Sequence, residues 1–582
     1  MKYTDNYNLL LYEETDKFQI TGDTDSLNAN TALIDALCKT TANEVEYIKT
    51  KQAGAVDIEY KEKVAAATSK DEVDALFAEW WHYQYDAEKY TKVDMLNRWF
   101  GNVMVDRRVH GVKTPLYSTS TSMLGELTDD SAGLVCTPST ATVAGNDPFA
   151  HLPQFWCIEV SAEKKADGSH EIFYVEHIDD TADVRSGEHL CWVLQKNTYR
   201  CEWKDDEYKY LKIRSYPAAG YKRWPEGKDR TGKVHEYMAH PKYYAGIDAD
   251  GVITCGTGLK PINRTSYTTG ISKWRARGSQ YSGASGSLPK FLDDMMRLKY
   301  GRKGNSGKIE GCVSYSYQYT AAVSETGVTR VILTTAQAAN LLVGSAVMLG
   351  IQSGTDRGTA SNYSICDGAR ISSIKSVTID DTEYSAVYID VAETFDTTAG
   401  STFLSTSPYW SGYNDTVLGR DGSRSNFSNG KEPGLLQGVE FMNGSYLIMS
   451  DELLNCSRDA DNNYLLDCYK CYDQSKCGTT INDNYVKADV PTMILPASWS
   501  WKYISDNAIS DVALWPEAVV ATGSGLGVGA AFYCVPDSGL RAPWVWGVLD
   551  CGGAAGLACR ASHPGVGDAY WYSSLGAPGS EG

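Results

Sequence analysis

Near residue 115 the pattern of this 582-residue chain changes, and that change limits its architecture more than any other feature. Before it, apolar residues recur at helical spacing. After it, Thr, Ser, Tyr and Val dominate short runs that Gly, Asp and Asn interrupt. Such runs cannot build a helical bundle. They predict short strands joined by tight turns. The expected class is α+β, with a helical N-terminal segment and a β-rich remainder.

The helical part is read from two stretches. Ser26 is a candidate cap for a stripe through Leu27, Ile34, Leu37, Cys38, Val45 and Ile48. Ser69 and Glu72 have capping-box spacing, and Val73, Leu76, Phe77 and Trp80 then share one face. Such stripes serve trimerisation, docking to an assembly, or packing on the same chain. Further on, "FWCIEVSAEKKADGSHEIFYVEHI" predicts strand, turn and strand, and "HLCWVLQK" and "EYKYLKIRSY" predict further strands. "GSLPKFLDDMMRLKYG" predicts a helix capped by Ser287, striped by Phe291, Leu292, Met295 and Leu298, and stopped at Gly301. "RKGNSGK" (302–308) has the composition of a linker. Roughly 310–405 then predicts a small inserted β barrel or sandwich, with a hairpin at "IDDTEY". Asn443-Gly444, between two strand-like runs, predicts another hairpin.

Composition narrows function. A net charge of −19 argues against nucleic acid and anionic lipid as partners. No run of about 18 apolar residues exists, so no membrane insertion is expected. The first residues lack the basic and apolar regions of a signal peptide. The 15 cysteines are scattered, which favours free buried thiols. The chain has 38 Tyr against 12 Phe, with 15 Trp. An apolar core has no use for the phenol, so the excess suits a binding surface, although Tyr also favours strands.

Candidate chemistry is sparse. Cys468, Cys471 and Cys477 contain one C-x2-C pair, where a structural zinc site usually needs two. Asp459, Asp461 and Asn463 alternate as in a calcium loop but lack its glycine and closing glutamate. Gly525, Gly527 and Gly529 resemble a nucleotide loop with no following helix, so close backbone packing is the better use. No cofactor is expected, and the metal content stays open.

Residues 539–577 carry something more specific: "GLRAP", Gly547, "AGLAC", "AYW" and Leu575-Gly576. They resemble the variable region of proteins diversified by retroelements, whose C-type-lectin-like fold ends in a hypermutated surface. Upstream, "GTGLKP", "NDTVLGRDGS" and "GKEPGLLQGVEFMNGSYLIMSD" are similar to tail or receptor-binding proteins of gut bacteriophages. "GVEFMNGSY" stands where relatives of the formylglycine-generating enzyme have a conserved motif, but its residues differ. The end, "SSLGAPGSEG", also departs from the usual final strand.

The resemblance implies a lectin-like domain with mixed short strands and loops. Its parts would be 111–305 and 431–582, split by an inserted β domain at 306–430 and preceded by an attachment segment at 1–110. It implies a variable region at 540–577. There Trp546, Val548, Asp550, Arg560, Ser562, His563, Asp568, Tyr570 and Tyr572 would face a ligand. Gly547, Gly556, Leu557, Ala558, Ala569, Trp571, Leu575 and Gly576 would hold the scaffold. The implied function is adhesion without catalysis, by a homotrimer on a phage tail, to a bacterial surface protein or glycan. The N-terminal segment would bind other tail proteins. The alternatives are a virion-associated depolymerase or formylglycine-type oxidase, or a purely structural virion protein.

Overall fold

Capping chemistry places the first helices. In the computed structural model, residues 55–354, 358–520, 523, 525–570 and 572–579 are described, with a short ladder between Lys2–Tyr3 and Leu10–Leu11. The stripe that starts at Ser26 lies outside the described residues. Helices span Ala55–Ala66, Lys70–Gln84 and Lys92–Arg98. The Ser69 hydroxyl accepts from the Glu72 amide, while the Glu72 carboxylate reaches back to the Thr68 amide at 2.6 Å. Val73, Phe77 and Trp80 are buried and Leu76 is half-buried. This face packs on its own chain. The rings of Phe77, Trp99 and Trp156 stand 5.1 to 5.9 Å apart.

The rest is mostly strand, in several small sheets with few helices. Strands at Cys157–Lys164, His170–Val175, Leu190–Lys196 and Tyr208–Arg214 occur where alternation predicts them. The helix Ser287–Tyr300 is also present, with Gly301 in the left-handed region at φ 61°. Two details differ. Gly286 occupies the cap and the Ser285 hydroxyl accepts from the Ser287 amide, so Ser287 is the first helical residue. The stripe also understates burial, because Lys290, Asp294 and Arg297 on the other face are buried too. They form ion pairs with Glu202 and Arg200. Residues 302–308 are not a linker. Lys303, Gly304 and Asn305 are buried, and Asn305 accepts from the Leu557 amide at 2.9 Å. Polar composition here serves internal hydrogen bonds instead of solvent.

Residues 318–407 supply a six-stranded sheet with a core cluster of its own, including Val331, Leu333, Val347, Ile371, Val387 and Leu404. Its long hairpin turns at Asp380 and Asp381, both at positive φ, as a primed turn requires.

The largest sheet is C-terminal. Its strands run in the order Pro516–Val520, Ser500–Asn507, Ala531–Cys534, Gly556–Ala561, Trp544–Trp546, Tyr446–Ile448 and Ser573–Leu575. The pairs Ala531–Cys534 with Gly556–Ala561, and Tyr446–Ile448 with Ser573–Leu575, are parallel. The hairpin expected at Asn443-Gly444 does not form. Val439–Phe441 pairs with Gly434–Leu436, and Tyr446–Ile448 enters the large sheet. Asn443 instead holds the bend, accepting from the Ser445 amide and donating to the Tyr409 carbonyl. Tertiary pairing has overridden a local turn signal.

Candidate functional site

Register across the large sheet builds one aromatic row. Trp501 lies opposite Tyr533, Tyr533 opposite Ala561, and Ala561 opposite Trp544. Directly paired residues share a face of the sheet. Ala561 ends at its Cβ, so the row dips between Tyr533 and Trp544. Above the dip, the connection after Trp546 brings Val548, Asp550 and Cys551. The connections flanking the last strands bring His563 and Tyr572. With Tyr446 and Tyr503 these residues line a groove of about 490 Å³.

The rings form a connected chain. Trp501 and Tyr533 are 4.8 Å apart, and Tyr446 and Trp544 5.4 Å. Tyr572 meets Trp544 at 5.8 Å and 85°, and Tyr570 stacks on Tyr572 at 5.3 Å. His563 lies 5.3 Å from both Tyr570 and Trp499, and Trp499 is 55% exposed. This is a wet-edged aromatic surface of the kind that gives area and orientation at low entropic cost.

Burial sets the electrostatics. It pushes the Tyr446 phenol and the Cys551 thiol up from their usual values. The two groups are 3.5 Å apart. Burial also lowers His563, against the opposing pull of the Asp568 carboxylate, so this imidazole is neutral at pH 7. Asp550 is exposed at the rim.

The residues expected to face a ligand divide into two groups. Asp550, His563 and Tyr572 line the groove, and Val548 lines it while being mostly buried. Tyr570, half-buried, backs Tyr572. Asp568 is exposed but caps its own turn, accepting from the Gly565 amide at 2.7 Å. The other three are corrections. Arg560 is buried, ion-paired to Glu452 at 2.8 Å, with its guanidinium 5.5 Å from the Trp515 ring centroid. It precedes Ala561 in the strand, so alternation turns it to the opposite face. Trp546 is buried at a positive φ of 81°, its ring edge-to-face with Tyr244 and Phe441. Ser562 is buried, donating to the Tyr533 carbonyl and accepting from the Val535 amide.

The scaffold residues are largely enclosed. At Gly547, φ is 97° and a Cβ would lie 2.7 Å from that of Ala555. At Gly576 a Cβ would lie 2.3 Å from that of Ala284. Gly556, Leu557, Ala558 and Leu575 are buried, whereas Ala569 is exposed. Trp571 lies outside the described residues. Gly527, from the glycine-rich loop, sits where a Cβ would meet the Ile504 and Ser505 carbonyls at 2.6 and 2.7 Å, which is close backbone packing.

Sequence reasoning missed Tyr446, Trp501, Tyr503 and Tyr533. The signal was present in "SWKYIS", where Trp501 and Tyr503 alternate as one face of a strand. Elsewhere, Asp459 closes its own turn through the Asp461 and Asn463 amides. The Cys471 and Cys477 thiols both turn to the Asp473 carbonyl, and Cys468 is a buried thiol. Among the described residues, no group of three or more His, Cys, Asp or Glu side chains is arranged to hold a metal ion.

No family model matches this chain, and no curated protein matches it significantly.

Proposed function

We propose that this protein is an adhesin, a receptor-binding protein of a bacteriophage tail, which holds a bacterial surface ligand in the aromatic groove of its C-terminal sheet. One observation carries the reading: the groove is built from two kinds of position. Trp501, Tyr533 and Trp544 stand on strands held by ladder hydrogen bonds. Asp550, His563 and Tyr572 come from connections within 540–577. Of these Asp550 is exposed and His563 and Tyr572 are half-buried, so substitutions there should cost no more than about 1 kcal/mol while the ladder keeps the backbone. That division suits a surface selected to vary.

The finer reading belongs to the same proposal and rests on the resemblance. It is a C-type-lectin-like domain split by the inserted β unit, carried on the virion and joined to other tail proteins by the N-terminal segment. A homotrimer suits it, because several weak sites on one particle multiply affinity by about 10²–10⁴. No catalytic step is assigned. Among the described lining residues Asp550 is the sole carboxylate, so the groove does not bring together the carboxylate pair that glycoside hydrolysis uses.

Fluorescently labelled protein incubated with a panel of intact gut bacterial isolates tests the reading. Staining of some isolates is expected, with at least tenfold loss for Trp501→Ala/Tyr572→Ala at unchanged fold. Equal staining by that variant, or none by the parent, would remove the groove from the account. A genomic near-repeat of the codons for 540–577 beside a reverse transcriptase gene, differing mainly at adenines, tests diversification separately.

A further inference from the structure

The groove has a charge character beyond its aromatic area. Six rings line it: those of Tyr446, Trp501, Tyr503, Tyr533, Trp544 and Tyr572. Among the described lining residues the full charge is one carboxylate, Asp550, and there is no Lys or Arg. The basic residues of this part of the chain are turned elsewhere. Arg560 is spent on Glu452 behind the sheet, and Arg541 pairs with Asp537 at 2.9 Å. Lys502, between Trp501 and Tyr503 in a strand, points to the other face by alternation. His563 adds no positive charge at pH 7.

Ring orientation matters as much as ring count. Tyr572 stands at 85° to Trp544 and 66° to Tyr446, and Trp501 at 40° to Tyr533. Tyr446 and Trp544 are nearly buried, so the open ring surface is that of the half-buried Trp501, Tyr503, Tyr533 and Tyr572. A ring face carries negative potential and attracts a cation within about 6 Å of its centroid. A carboxylate at the rim adds a counter-charge, and a net charge of −19 adds long-range attraction of the same sign. An anionic ligand meets repulsion from all three. A neutral sugar gains stacking and hydrogen bonds but none of the charge attraction.

We propose that the groove receives an organic cation, the guanidinium or ammonium of a basic side chain on a bacterial surface protein, seated against the rings with Asp550 as its counter-ion. The inference rests on the adhesin reading and narrows its ligand to a basic protein segment.

Saturation-transfer NMR on the full-length protein tests it. The probes are acetyl-Gly-Arg-Gly-amide and its citrulline counterpart, which keeps the shape and removes the charge. Choline and a neutral oligosaccharide are the comparison arms. The arginine peptide is expected to bind at least about tenfold more tightly than the citrulline peptide, as a desolvated cation–π contact allows. Asp550→Asn should reduce that preference at least threefold, and Trp501→Ala/Tyr572→Ala should abolish it. Equal binding of the two peptides, no binding of either, or binding of the oligosaccharide alone overturns the proposal. So does arginine-peptide binding that survives loss of the rings, since the cation then sits elsewhere on the acidic surface. Cell staining separates the two levels. If staining depends on Trp501 and Tyr572 while arginine and citrulline behave alike, the adhesin reading stands and the cation falls. If staining ignores the groove, both fall.

Discussion

The two ends of this protein use the same aromatic chemistry for opposite ends. Near the N-terminus, Phe77, Trp80, Trp99 and Trp156 are fully buried. Two of their indole N–H groups are taken up by carboxylates, Trp80 by Asp57 at 3.0 Å and Trp156 by Asp74 at 2.8 Å. In the C-terminal groove, Trp544 and Tyr446 are buried as well, but Trp501, Tyr533 and Tyr572 are only half-buried, and Trp499 beside the groove is mostly exposed. Ring stacking is common to both, with centroids about 5 to 6 Å apart. The difference is the lid. Helix Lys70–Gln84 covers the first cluster, whereas small residues, Ala554 and Ala561, leave the second open. Aromatic clustering by itself therefore says little about function. What covers the rings says more.

Three experiments sharpen or break this contrast. Trp80→Ala should cost about 3–5 kcal/mol, because it opens a closed cavity and leaves Asp57 without one of its donors. Thermal or urea unfolding reads this, and a loss below about 1 kcal/mol would mean that the helices are not part of the cooperative core. A smaller effect follows from pH. Burial alone would push Asp74 up, but hydrogen bonding from His177 and the charge of Lys70 prevail and hold it well below the usual carboxylate range. The unfolded state then binds the proton more readily. This contribution is present above the unfolded value of about 3.9 and is lost as pH falls below it. Tm should decline from pH 5 to pH 2, and Asp74→Asn should flatten that decline while lowering Tm at pH 7. The smallest effect belongs to the groove. Tyr572→Ala should change stability by less than about 1 kcal/mol, since its ring is half-buried against neighbours that remain. A loss as large as that of Trp80→Ala would make the groove a core and dissolve the contrast.

Much of the fold was legible. The Ser69 cap, the turn at Asp380-Asp381 and the alternating strands around 157–175 rest on interactions within a few residues, and each occurs in the structure. What misled was local chemistry put to distant use. Asn443-Gly444 has hairpin composition, yet Tyr446–Ile448 finds its partners about a hundred residues on, at Trp544–Trp546 and Ser573–Leu575. The glycine-rich 302–308 segment has linker composition, yet Asn305 is needed by Leu557. The candidate site was half legible. Asp550, His563 and Tyr572 were found from their segment, whereas Tyr446, Trp501, Tyr503 and Tyr533 lie outside it and join only through sheet register.

Arg560 and Ala561 mark where local information stops. Alternation alone determines that these neighbours point to opposite faces of their strand. It does not say which face is covered. That was decided by Glu452 and Trp515, which meet Arg560 from distant segments and bury its charge, while the small Ala561, itself buried, floors the groove between Tyr533 and Trp544 on the other face. Side-chain direction is a property of the backbone period and can be read from the chain. Exposure is a property of what the rest of the chain stacks on top, and only the tertiary structure supplies it.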